Sequence, residues 1–173
     1  MMNLIRIIVL SFMLSACSVF ELQNATSVSL LAAQAINQYP IVEQRLREDT
    51  GLFTSWEKNR LNSTARQVVL LRDSMQQVYD ADGFNSLVAG GDLLVGYQDL
   101  RLLYKEAIEI VEDKLVYMDV VAAMDVGWHI KTVRKLDREV QKLLAADQDR
   151  QEALKATIDV LTVVAKIALA AGA

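Results

Sequence analysis

The chain has 173 residues, enough for one domain with a buried core. It carries 18 Lys and Arg against 22 Asp and Glu, a net charge of −4, and no basic patch is visible in the sequence, which argues against nucleic acid as a partner. Ala, Leu and Val are abundant, aromatic residues are few and there is one proline, a composition that favours an all-α fold.

The N-terminal segment has the pattern of an export signal. Met1 to Arg6 carries one positive charge, and residues 7–14 are an apolar run. This run of about eight residues is too short for a bilayer core, which needs about twenty. Ser15 and Ala16 are small residues at its end, and such a segment is removed from the mature protein. Its removal takes away Arg6 and no acid, so the mature charge changes from −4 to −5.

The tetrapeptide Leu14-Ser15-Ala16-Cys17 resembles the lipobox of bacterial lipoproteins, in which a leucine and two small residues precede a cysteine. The resemblance implies cleavage between Ala16 and Cys17, diacylglycerol on the Cys17 sulfur and acylation of the new amine, for example with palmitate. Cys17 is the only cysteine, so no disulfide is expected. Apart from this covalent lipid we predict no cofactor and no metal.

The same resemblance predicts where the protein resides. Asp after the lipidated cysteine tends to retain lipoproteins in the inner membrane, and this chain has Ser18 there. We therefore expect a cell-envelope protein on the periplasmic face of the outer membrane, held by its lipid anchor. The predicted parts are a signal peptide at 1–16, a lipidated tether at 17–26 and a helical domain at 27–173.

Apolar residues recur at helical spacing after the tether. A first helix is predicted from Ser27 to about Asp49; Pro40 either kinks it or begins a second piece. The next helix is capped by Thr54 or Ser55. Residues 83–91 include three glycines and predict a loop.

The longest periodic run extends from Asp92 to Ala146. As one helix of about 54 residues it would measure about 80 Å at about 1.5 Å per residue. We predict one long central helix, either straight or bent between Asp125 and Trp128 around Gly127. A hairpin at that point is the alternative. A turn near 145–148 precedes the last helix, Asp149 to about Ala171.

The C-terminal stretch Val160 to Ala173 is nearly all apolar. It is too short and interrupted for a membrane span. Two interpretations remain open: a helix buried among the others, or an end at 167–173 that protrudes and docks on a partner, through Ile167 and Leu169.

No pattern of catalytic residues stands out, so we predict no catalytic residues. His129 is the only histidine and lies one helical turn after Asp125, which would allow a hydrogen bond between them. Glu106, Glu109 and Glu112 lack the Glu-x-x-His pairs of di-iron bundles. A solvated face, with a Lys105–Glu109 ion pair, is the simpler interpretation.

Together these patterns predict an all-α fold: a four- or five-helix antiparallel bundle with one long central helix, behind an N-terminal lipoprotein signal. The function we expect is that of a non-enzymatic scaffold, assembly factor or interaction module for an envelope complex. The alternative is a small-molecule or lipid-binding carrier with an inter-helical cavity, which requires a sizeable apolar pocket.

Overall fold

The computed structural model describes residues 28–48, 51–81, 84–146 and 150–173, and this part of the chain is an all-helical bundle without strands. Helix α1 covers residues 28–48. The following helices are α2 Ser55–Asp80, α3 Phe84–Asp113, α4 Val120–Ala146 and α5 Arg150–Ala171, with a 3₁₀ turn at Leu115–Tyr117. The predicted all-α bundle is confirmed, whereas the predicted signal peptide, Cys17 and the tether lie outside the described residues.

Consecutive helices run in opposite directions. Between α3 and α4, the contacts pair Gln98 with Gln141 and Glu112 with Arg134, so residue numbers rise on one helix as they fall on the other. Between α2 and α5, Asn62 donates to the Gly172 carbonyl oxygen at 2.7 Å. The result is an up-and-down bundle.

The central element is α5, the last of the five. Its apolar side chains are buried along nearly the whole length, and Leu154, Leu161 and Val164 are fully inaccessible. Tyr39 of α1 donates from its hydroxyl to the Lys166 carbonyl oxygen at 3.1 Å. The prediction of a buried C-terminal helix is therefore confirmed, and this helix takes the central place that the sequence analysis gave to residues 92–146.

The predicted single helix from Asp92 to Ala146 is wrong. The chain turns at 114–119, before the position where a bend or hairpin was expected. The Asp119 carboxylate accepts backbone hydrogen bonds from Val121 at 3.0 Å and Ala122 at 2.9 Å, which caps the start of α4. Gly127 lies inside α4.

The predicted loop at 83–91 is also wrong, because α3 begins at Phe84. Close packing against α2 and α5 explains why position 90 of this helix is a glycine. A Cβ at Gly90 would lie 2.8 Å from Leu154 Cδ1 and 3.6 Å from Val78 Cγ1. The missing side chain lets α3 approach α2 and α5 closely. Pro40 likewise lies within the continuous helix α1.

Thr54 caps α2, as predicted. Its side chain and backbone form a reciprocal capping box with Glu57. The Glu57 carboxylate also pairs with Lys114 at 2.7 Å, which ties the start of α2 to the end of α3. The hydrogen bond from Lys114 is the main reason that the pKa of Glu57 is lowered.

Candidate functional site

The two ends of the bundle are defined by the contacts of α1 with α4. At one end, Val28 and Leu143 line the same small cavity. At the other end, Arg45 Nε lies 3.6 Å from Asp125 Oδ2. We call the first the tether end, because the predicted tether precedes residue 28, and the second the distal end. From Asp125 to Leu143, α4 covers about 27 Å at about 1.5 Å per residue.

Exposed apolar side chains are concentrated at the distal end. The turn between α3 and α4 and the first three turns of α4 carry six of them, which we call the distal stripe: Val116 (79 % exposed), Tyr117 (73 %), Val120 (76 %), Val121 (58 %), Met124 (69 %) and Trp128 (38 %). Contiguous apolar surface of this kind commonly marks an interaction site.

The helical period explains why the stripe faces solvent. Val120, Met124 and Trp128 are four residues apart and share one face of α4. The opposite face carries Val126 and Ile130, each 1 % exposed, which belong to the core. Thus α4 is apolar on two faces at its start, and only one of them is covered by the rest of the bundle.

The stripe is bordered by charges of both signs. Asp113 and Asp119 are exposed beside the turn. Lys114 is only 15 % exposed and is paired with Glu57. Lys131, three residues after the end of the stripe and on the same face of α4, is exposed and forms no ion pair with a described residue. The unpaired charge is therefore negative at the turn and positive where the stripe ends on α4.

The sequence analysis missed this surface, although a signal was present. Residues 115–124 contain a single charged residue, Asp119. One buried face of a helix does not need so many apolar residues. The excess apolar residues, together with an Asp able to cap a helix, would have indicated a turn with an exposed apolar side.

The C-terminal docking residues have different environments. Ile167 is 1 % exposed and belongs to the core, so the expectation that residues 167–173 protrude is wrong. Helix α5 continues to Ala171 and packs between the other helices. Leu169 is 45 % exposed at the distal end, and its contact with a partner stays a prediction.

His129 makes no hydrogen bond with Asp125, although their spacing would allow one. Both ring nitrogens are buried without a hydrogen-bond partner, and Asp125 pairs with Arg45 instead. The ring lies 6.5 Å from the Tyr39 ring, between centroids. Burial lowers the pKa of His129 from 6.5 to about 4, so the imidazole is neutral at pH 7.

A buried polar network joins α3 to α4. Arg101 donates from Nε and Nη2 to the two carboxylate oxygens of Asp137, at 2.7 Å each. The hydroxyls of Tyr97 and Tyr104 donate to Asp137 Oδ1. Burial alone would raise the pKa of Asp137, but the hydrogen bonds from Arg101 and Tyr104 outweigh it and lower that pKa. Burial also raises the pKa of both tyrosines.

The glutamates of α3 form separate contacts. Glu106 pairs with Arg60 of α2 at 2.5 Å, and Glu112 pairs with Arg134. The predicted Lys105–Glu109 ion pair is absent from the described structure, so this detail is wrong. Within the described residues, no group of three or more potential His, Cys, Asp or Glu ligands is placed to hold a metal ion.

Comparison with known proteins found no matching protein family, no matching curated protein and no matching solved structure. Among the described helices, none is both long and apolar enough to cross a membrane.

Proposed function

We propose that this protein is a lipid-anchored envelope lipoprotein that binds another envelope protein through the distal stripe. The observation that carries the proposal is the exposure of six neighbouring apolar side chains at one end of an otherwise well-packed bundle. The lipobox at 14–17 supplies the anchor, and the stripe supplies the contact. In this role the protein acts as a scaffold or assembly factor and performs no chemistry.

The position of the stripe leaves it accessible to a protein partner. A lipid on Cys17 would connect the tether end to the bilayer. The stripe lies at the other end of α4, about 27 Å from Leu143 at about 1.5 Å per residue. When the tether end points toward the membrane, the stripe faces away from the bilayer, where an envelope protein can reach it.

The charges indicate the chemistry of the partner. At the turn, where Asp113 and Asp119 are exposed, a protein surface with an apolar centre and Lys or Arg at its rim is complementary to the stripe. We propose such a protein surface as the occupant.

The acyl-chain carrier alternative receives less support, because it requires a sizeable apolar pocket. Seven of the ten residues that line the groove between α3 and α4 are charged. This groove suits a polar ligand better than an acyl chain.

The interaction is tested by placing a photo-crosslinking amino acid at Met124 in cells. The matched control position is Leu70 of α2, which is 68 % exposed and lies outside the stripe. We expect a defined protein adduct from Met124 and none from Leu70. Val120→Glu in the same chain should reduce the adduct at least tenfold, while Leu70→Glu should leave it unchanged.

Two outcomes would refute the stripe as the binding surface. One is an equal yield of adducts from both positions, and the other is an adduct that persists with Val120→Glu. Thermal unfolding of both Glu variants, followed by circular dichroism, must show the same midpoint as the parent, since both side chains are exposed.

The anchor is tested separately by Cys17→Ser. We expect the variant to lose incorporation of labelled palmitate, to keep its signal segment and to be lost from the outer-membrane fraction. The matched control is Ser18→Thr, which keeps the cysteine. If the Cys17→Ser protein still reaches its mature size and still fractionates with the outer membrane, the lipoprotein assignment is wrong.

A further inference from the structure

Helices α3 and α4 enclose a groove of about 410 Å³ beside the buried polar network. Its volume is within the range of small-molecule sites, about 300–1,000 Å³. Five cationic side chains and two acidic ones line it, although the whole chain is acidic. The sequence showed no basic patch because these cations come from two antiparallel helices and meet only in the folded protein.

Three of the cations are not neutralised by an ion pair. Arg101 is paired with Asp137, and Arg134 is paired with Glu112. By contrast, Lys105, Lys131 and Arg138 form no ion pair with any described residue. The remaining acid of the wall is Glu109, which is exposed. Three unpaired cations against the single carboxylate of Glu109 leave the groove with an excess of positive charge.

Arg101 is held in place at the base of the groove. Two of the five N–H donors of its guanidinium group are used by the Asp137 carboxylate, which leaves three for another acceptor. The hydroxyls of Tyr97 and Tyr104 fix Asp137 from the buried side. Because the carboxylate is fixed, the guanidinium does not need to be ordered when a ligand arrives, which lowers the entropic cost of binding.

We propose that this groove binds a phosphate group, carried either by an anionic phospholipid headgroup or by a soluble phosphorylated molecule. The phosphate lies between Lys105 of α3 and Lys131 and Arg138 of α4, with Arg101 at the base. A phosphate monoester carries about −1.5 to −2 charges at pH 7, whereas the phosphodiester of a phospholipid headgroup carries a single negative charge. Both groups offer acceptor oxygens on more than one side, so either can accept hydrogen bonds from cations on two helices. Ile108 and Val133 provide apolar wall beside it.

The test uses the mature protein extracted in a neutral detergent. Inorganic phosphate is titrated by calorimetry, followed by dihexanoyl-phosphatidylglycerol and, as the zwitterionic control, dihexanoyl-phosphatidylcholine, both below their micelle-forming concentrations. We expect saturable binding of phosphate. Stronger binding of phosphatidylglycerol than of phosphate and phosphatidylcholine assigns the headgroup as the source; equal or stronger binding of free phosphate assigns a soluble ligand.

A pair of double variants tests the location of the site. Lys105→Gln with Lys131→Gln removes two charges from the groove and should raise the Kd at least tenfold. Arg47→Gln with Arg66→Gln removes two charges from exposed positions of α1 and α2 that do not line the groove, and should leave the Kd within about twofold, since remote charges are screened by salt. Both double variants change only solvated side chains, so both should fold.

Equal weakening in the two double variants would show non-specific attraction and would overturn the proposal. So would the absence of saturable phosphate binding at about 10 mM, or preferential binding of an oligoglutamate peptide. None of these results depends on the distal stripe, because the groove variants leave all six stripe residues unchanged.

Discussion

The helix contacts of α5 and those between α3 and α4 hold the bundle together by different means. Along α5 the contacts are apolar and close, and at Gly90 even a Cβ would lie 2.8 Å from Leu154 Cδ1. Between α3 and α4, long polar side chains such as Arg101 and Asp137 bridge the helices, and a groove remains beside them. The difference teaches that the stability of this bundle is concentrated around α5, whereas its capacity to bind a ligand is concentrated at the polar interface.

The largest loss of stability is expected on the apolar side. Leu161→Ala removes a fully buried side chain of α5 and should lower the free energy of unfolding by about 3–4 kcal/mol. Leu169→Ala on the same helix, where the side chain is 45 % exposed, should cost less than about 1 kcal/mol. Urea denaturation followed by circular dichroism measures both. Equal losses would contradict the assignment of α5 as the centre of the core.

The second prediction concerns the pH dependence of stability, which the buried His129 between α1 and α4 should cause. Because the pKa of His129 is about 4 when folded, against 6.5 for the free side chain, the unfolded chain takes up its proton first as pH falls. The free energy of unfolding should therefore decrease by about 3 kcal/mol between pH 6.5 and pH 4. Denaturation at a series of pH values measures this slope.

His129→Leu provides the matched control for the pH experiment. The rings of Trp128 and Tyr39 lie 6.4 Å and 6.5 Å from the His129 ring, between centroids. Burial raises the pKa of Tyr39 to about 12, so this group does not titrate between pH 4 and 6.5. The part of the slope that His129 causes should disappear in the variant. A variant with the parent slope would show that His129 is accessible to protons in the folded state.

The smallest effect is expected at the polar interface. Asp137→Leu leaves Arg101 and two tyrosine hydroxyls without their acceptor and should lower the free energy of unfolding by about 2 kcal/mol, since Arg101 can turn toward solvent. Adding Arg101→Met should recover at least half of that loss, because an apolar pair of similar volume replaces the ion pair. A double-mutant cycle in urea measures the coupling. No recovery would mean that the network contributes to stability as strongly as the core around α5.

The helical faces were predictable from the sequence because they depend on local spacing. Val126, Ile130 and Leu136 belong to the periodic run from Asp92 to Ala146 and are buried. Of the two candidate caps of α2, Thr54 is the one that caps it. The same periodicity hid the turn at 114–119. Both α3 and α4 bury one face in the same core, and their apolar positions continue nearly in phase across the turn, so a single long helix fitted the pattern.

The polar network and the groove could not be predicted in this way. Arg101 and Asp137 are 36 positions apart, and their contact depends on where the chain turns back. Once the turn is placed at Asp119 rather than near Gly127, the antiparallel register of α3 and α4 follows. The glycines at 83–91 led to the wrong prediction of a loop for a related reason. Position 90 needs a glycine because Leu154 lies close to it, and this contact is visible only in the packed structure.

The order of the helices along the chain has a consequence for how the protein is made. Helix α5 is synthesised after α1 to α4, so the apolar faces of the earlier helices remain uncovered until α5 packs between them. A chain interrupted before Arg150 lacks this helix, and we expect it to stay unfolded and to be degraded by proteases.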